Sequence, residues 1–146
     1  MLTKPLTSFA LFALLLAAAP SFADAGVAIA IAKDKQDNRD LEYFIRYDSS
    51  STGFQLEKSA RQDFQSELTY NRDIWRSYPS SRNSGDLRSG YFAVIRYDDP
   101  KGKSTYALGF DTTPEGAEIE AEAELKRRNW NWTSRKGYRI DRSGRF

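Results

Sequence analysis

The chain has 146 residues, with 22 Lys and Arg against 20 Asp and Glu, and contains neither Cys nor His. The missing Cys excludes disulfides, thiol catalysis and zinc–thiolate sites, and the missing His removes the commonest general base and metal ligand. Net charge near zero hides a polarity: from Lys126 onward stand eight basic residues (Lys126, Arg127, Arg128, Arg135, Lys136, Arg139, Arg142, Arg145) and one acid, Asp141, behind a net acidic body. Such a field can steer a charged partner, or tail and body can neutralise each other within one fold.

In chain order, "MLTKPLTSFALFALLLAAAPSFADAG" comes first. Lys4 precedes an apolar run from Phe9 to Ala19, which is shorter than the roughly 20 residues a bilayer span needs. "SFA" and "ADA" are small-x-small cleavage sites. The pattern predicts a secretory signal peptide over 1–23, cleaved after Ala23 or Ala25, and a periplasmic or secreted mature chain. No Cys follows the apolar run for lipid anchoring, and no later segment has the length and apolarity of a membrane span.

The rest reads as one domain built on an internal repeat. "LEYFIRYDSSSTGFQLEKSARQDF" (Leu41 to Phe64) aligns without gaps on "STYALGFDTTPEGAEIEAEAELKR" (Ser104 to Arg127) at an offset of 63. Tyr43 meets Tyr106, Ile45 meets Leu108, Tyr47 meets Phe110, and Gly53 meets Gly116. Each copy is preceded by an apolar strand (Val27–Ala32, Tyr91–Tyr97) and a turn rich in Asp, Asn, Gly and Lys. The expectation is α+β: a duplicated β-β-α unit, 26–68 and 91–129, forming an antiparallel sheet with two helices packed on one face.

The stretch "EGAEIEAEAELKRR" alternates like a strand but consists of strong helix formers. Its partner copy places Phe54, Leu56, Ala60, Phe64 and Leu68 on one helical arc, so both are read as helices. Thr113 as cap, Pro114 at the first position, and acid-to-basic order along the segment support this. Ile119, Ala123 and Trp130 then share one side, and Ala117, Ala121 and Leu125 form a second stripe.

Thr69 to Gly90 reads as a long connecting loop, rich in Ser, Asn, Gly and Pro. Segment 130–146 reads as one or two basic edge strands, guarded by Arg and Lys. Alternation would point Trp130 and Trp132 to opposite faces, so at least one is buried, and Trp130 is assigned to the core.

At "YFAVIRYDDPKGKSTYALGFDTTPEGAEIEAEAEL" the chain resembles a family of exported bacterial domains of unknown function. Their units run through an Ala-Ile-Ala-Tyr type strand, an aromatic-Gly strand and a Ser/Thr-led Ala/Glu-rich helix. Ala93-Val94-Ile95, Gly109-Phe110 and Thr113 to Leu125 carry the match. The resemblance implies export and fold, and carries over neither an activity nor catalytic residues.

Carboxylates are the acid–base groups that remain. Asp48 and Asp111 stand at strand-to-helix junctions, where Asp commonly accepts from free N–H groups. Glu57 and Glu120 suit ion pairs on helix surfaces. Neither acidic turn has the spaced pattern of a calcium loop, and no cofactor motif is present. The better signal is aromatic residues interleaved with basic ones: Trp75, Arg76, Tyr78 and Arg82 in the loop, and Trp132, Arg135, Tyr138 and Arg139 near the end. The leading reading is an exported, non-catalytic binding protein without cofactor, whose partner is another exported protein, such as a toxin or cell-wall hydrolase that it occludes. The rivals are a carboxylate-based hydrolase of an envelope polymer and a binder of anionic glycan or lipid head groups. Nucleic acid is disfavoured for an exported, near-neutral chain, and oligomeric state is left open.

Overall fold

The computed structural model describes residues 24–70 and 77–146. The segment read as a signal peptide, 1–23, and Trp75 and Arg76 lie outside the described residues. The elements run β1 (Gly26–Asp34), β2 (Asp40–Asp48), α1 (Gly53–Tyr70), β3 (Ser77–Asn83), β4 (Tyr91–Asp98), β5 (Ser104–Asp111), α2 (Pro114–Arg128) and β6 (Arg139–Arg145). The six strands form one sheet in the order β3-β1-β2-β5-β4-β6, with antiparallel neighbours throughout.

The fold is α+β with a repeated hairpin-and-helix plan, and the repeat is one strand longer than the sequence suggests. Each helix leads to a strand that returns to the first strand of its own unit: β3 pairs with β1, and β6 pairs with β4. The stretch read as a loop over 69–90 therefore contains a strand. "SYPSSRN" has no alternating apolar residues and carries a proline, so its own propensity is poor. It is a strand because β1 supplies a ladder, and Pro79 is tolerated because β3 lies at the sheet edge.

"PEGAEIEAEAELKRR" is helix α2. Thr113 Oγ1 accepts the Gly116 N–H at 3.0 Å, Pro114 opens the helix, and Lys126, Arg127 and Arg128 fill its last turn. At α1, Thr52 and Gln55 form a reciprocal capping box: Thr52 Oγ1 accepts from the Gln55 N–H, and Gln55 Oε1 from the Thr52 N–H.

The two helices present different arcs. α1 lays Ala60, Phe64 and Leu68 on Ala30, Ala32 and Phe44, whereas α2 lays Ala117, Ala121 and Leu125 on Ala93, Ile95 and Ala107. Ile119 is 68% exposed and Phe54 is 62% exposed, so neither belongs to the buried face of its helix. Gly109 explains the rotation. A Cβ there would lie 2.0 Å from the Ala117 carbonyl oxygen, so α2 rests on β5 backbone to backbone through its alanine stripe. The matching position in the first unit is Arg46, whose guanidinium holds Asp63 of α1 at 2.6 Å.

Across the centre of the sheet, Lys33, Asp40, Ser104 and Asp98 stand opposite one another in a single row. That row makes the two units one sheet, with both helices on the same face. The other face folds onto itself. Val27, Ile29 and Ile31 of β1 share a core with Phe92 and Val94 of β4 and Tyr106 and Leu108 of β5. Among the described residues, no helix is long and apolar enough to cross a membrane.

Ionic contacts tie the units along this fold. Asp40, almost fully buried, receives Arg128 at 3.0 Å and Lys33 at 3.1 Å. Arg82 of β3 crosses to Glu120 and Glu124 of α2. Arg82 and Arg142 are repeat equivalents, opposite Ile29 and Val94 in their own units. Each stacks on the other unit's aromatic: Arg82 lies 4.9 Å from the Phe110 ring centre and Arg142 5.5 Å from that of Tyr47.

Candidate binding cleft

Every main-chain N–H and C=O at a strand edge needs a partner or solvent, and the sheet meets that need differently at each edge. β2 and β5 share only the Asp40–Ser104 pairing and then part. On the β5 side, carboxylates close the exposed edge: the Tyr106 N–H donates to Asp40 Oδ2 at 2.8 Å and the Phe110 N–H to Glu120 Oε2 at 2.7 Å. At the outer edge of β3, Pro79 has no N–H to present. The outer edge of β6 carries Arg139, Arg142 and Arg145.

The free edge of β2 is not closed in this way. Val27 N–H donates to Ser84 Oγ at 3.0 Å, and its carbonyl accepts the Ser84 N–H at 2.9 Å, so both groups point away from Tyr47, the residue opposite on β2. In an antiparallel ladder, bonded and non-bonded pairs alternate. Tyr47, Ile45 and Tyr43 therefore aim N–H and C=O outward, away from β1. Among the described residues no main-chain group meets them.

This edge borders an open cleft of about 460 Å³, lined by the consecutive β2 residues Glu42 to Arg46 together with Asp63, Tyr106 and Arg142. The rings of Tyr43 and Tyr106 meet at 4.9 Å, and the Tyr43 hydroxyl donates to Asp141 Oδ2 at 2.6 Å. The Arg96 guanidinium lies 5.5 Å from the Tyr106 ring centre. Arg46 grips Asp63 through two bonds at 2.6 and 2.7 Å. Arg142 contacts the Tyr47 ring and hydroxyl and, among the described residues, no carboxylate.

Burial, then the Asp141 carboxylate, pushes the Tyr43 phenol well above its ordinary range, and burial likewise raises Tyr106. Both are neutral phenols at physiological pH, which makes them hydrogen-bonding surfaces rather than bases. Partial burial, with the neighbouring charge of Glu67, also raises the carboxyl of the largely exposed Glu42. The cleft can therefore offer main-chain bonds, aromatic faces, one guanidinium free of carboxylate partners and one disfavoured carboxylate.

The residues singled out from sequence do not converge on one surface. Trp75 and Arg76 lie outside the described residues. Tyr78 and Arg82 are on β3, at one end of the strand order, and Arg139 is on β6, at the other. The Tyr78 hydroxyl donates to Asn38, and Arg82 is consumed by its ion pairs with α2. Trp132 is 3% exposed, and its indole N–H donates to the Gly137 carbonyl at 2.8 Å, so it is a core residue. Trp130, assigned to the core from sequence, is 79% exposed. The segment between α2 and β6 holds a short 3-10 turn over Ser134–Lys136 instead of a strand, so the alternation argument does not apply there. The Tyr138 hydroxyl is shared by Glu118 and Glu122, and burial with these acids pushes it far above its ordinary range. Arg135 is exposed in the 3-10 turn, and Arg139 lies 3.8 Å from Asp141.

Sequence reasoning missed Tyr43, Tyr106 and Arg142 as site residues. The signal for the first two was available, since they are the matched aromatics of the repeat. Comparisons with protein-family models, with curated proteins and with solved structures find no match for this chain.

Proposed function

We propose that the mature chain is an exported, non-catalytic binding protein that takes up an extended segment of another exported protein along β2. The observation that carries this reading is the outward-facing main chain of Tyr43, Ile45 and Tyr47, the first two of which line an open cleft of about 460 Å³. Strand addition supplies main-chain bonds for affinity and side-chain contacts for selectivity. Proline at β3 and carboxylates at β5 oppose pairing there, and β2 has neither, so its open edge is a feature that function explains. A hydrolase would need two available carboxyls about 5 to 9.5 Å apart across the cleft. Of the two carboxylates lining it, Asp63 is held by Arg46, which leaves Glu42 without an available second carboxyl; Asp40, outside the lining, is committed to Arg128 and Lys33.

Tyr47 allows a clean test, because Tyr47→Pro removes the outward N–H whereas Tyr47→Ala removes only the side chain. Wild-type protein and both variants, each verified as folded, are used to capture partners from the exported fraction, which are identified by mass spectrometry. The expected result is a partner retained by wild type and Tyr47→Ala and lost with Tyr47→Pro. Equal capture by both variants and wild type contradicts the reading.

A further inference from the structure

The chemistry of the captured segment can be read from the two sides of the β2 edge, and this inference rests on the strand-addition reading above. Residues of an added strand that stand opposite Tyr43, Ile45 and Tyr47 share the inner face with them. That side holds Tyr106 and Arg142. Asp141 is already bonded by the Tyr43 hydroxyl and lies beside Arg139, so the cation left without a carboxylate is Arg142. Residues opposite Glu42, Phe44 and Arg46 instead share the helix side with α1. There Arg46 is neutralised by Asp63, whereas Glu42 lines the cleft, is largely exposed and, among the described residues, has no cation partner. One side of the edge therefore lacks an anion and the other lacks a cation.

We propose that the segment taken by β2 is an extended peptide with opposite charges on its two sides: an Asp or Glu on the inner side, paired with Arg142, and a Lys or Arg on the helix side, paired with Glu42. Adjacent residues of a strand point to opposite faces, so the pattern in the partner is an acid and a base separated by an odd number of positions. An exposed charge pair acts on selectivity more than on affinity, and reversing one partner sets like charges against each other.

The test uses the full mature protein and a displayed library of random twelve-residue peptides. Selection is run on wild type, Arg142→Glu, Arg142→Gln and Glu42→Lys, each verified as folded by circular dichroism. Amide exchange then reports whether selected peptides protect Tyr43, Ile45 and Tyr47. The expected result is that wild type enriches peptides pairing an acid with a base at odd spacing, and that these peptides protect the three amides. Arg142→Glu should replace the acid by Lys or Arg, Arg142→Gln should erase the preference without reversing it, and Glu42→Lys should turn the base into an acid. Wild-type peptides should bind Arg142→Glu at least tenfold more weakly. Peptides that protect the three amides but ignore these substitutions would overturn the charge assignment and leave strand addition standing. A library from which no peptide protects those amides would overturn both. A dimer in sedimentation that Tyr47→Pro dissociates would assign the edge to a second copy and overturn the proposal as well.

Discussion

Tyr43 and Tyr106, equivalent residues of the two repeats, meet ring to ring at 4.9 Å and an interplanar angle of 59° across the fold of the sheet. Their contact joins the units where the main chains of β2 and β5 part. A tilted aromatic pair is worth about 0.5–1.5 kcal/mol beyond its buried area. Tyr43→Ala and Tyr106→Ala, alone and combined, are expected to show a coupling energy of that size in denaturant unfolding. Strict additivity would mean the rings contribute through burial alone.

Gly109 sets how α2 sits. A side chain there meets the Ala117 carbonyl and the Ala121 amide rather than a movable side chain. Gly109→Ala should therefore destabilise the protein by about 3 kcal/mol, at the upper end of overpacking costs, with a matching fall in melting temperature. A loss below about 1 kcal/mol would show that α2 can lift from β5 with little penalty.

Asp40 links three parts of the chain: Lys33 of β1, Arg128 of α2 and the Tyr106 N–H of β5. Removing one partner of a buried pair costs about 3–5 kcal/mol, because the other charge is stranded. Asp40→Leu strands both Lys33 and Arg128 and should fall in that range, whereas Arg128→Met leaves Asp40 its Lys33 partner and should cost clearly less. The two are compared by their unfolding free energies, and equal losses would contradict the shared pairing.

Two glutamates predict opposite pH behaviour. Burial alone would raise Glu57, but bonds from Ser81 and Asn83 and the Arg61 guanidinium outweigh it and hold the carboxyl below its ordinary 4.5. Its stabilisation is present above that value and is lost as pH falls through the folded value. Glu42 is raised above 4.5 by burial and by Glu67, so its contribution is present below 4.5 and is lost as pH rises through the folded value. At pH 7, Glu57→Gln should lower the melting temperature and Glu42→Gln should raise it. At a pH below both folded values, both differences should shrink towards zero. Shifts of the same sign at pH 7 would contradict the assignment.

The legible parts of the fold were those written into local pattern. The paired hairpins, the apolar middle strands β1 and β4, and α2 beneath its misleading alternation all follow from composition, capping residues and the repeat. What escaped depends on partners distant in sequence. β3 has the residues of a loop and is a strand because β1 lies beside it. Ile119 and Ala117 look equally fit for burial, and the backbone approach at Gly109 decides between them. Trp130 and Trp132 exchange their expected roles because the chain turns between α2 and β6. The cleft was hidden for the same reason: it exists because β2 and β5 diverge after one pairing, which no local pattern encodes.

Strand addition requires that the second edge of β2 be open in the isolated protein, which residue-resolved amide exchange measures. Amides turned toward β1 should be protected and those turned outward should not, so Phe44 and Arg46 are expected to exchange slowly while Tyr43, Ile45 and Tyr47 exchange fast. Slow exchange at all five positions would mean that the edge is already paired, and would contradict the account.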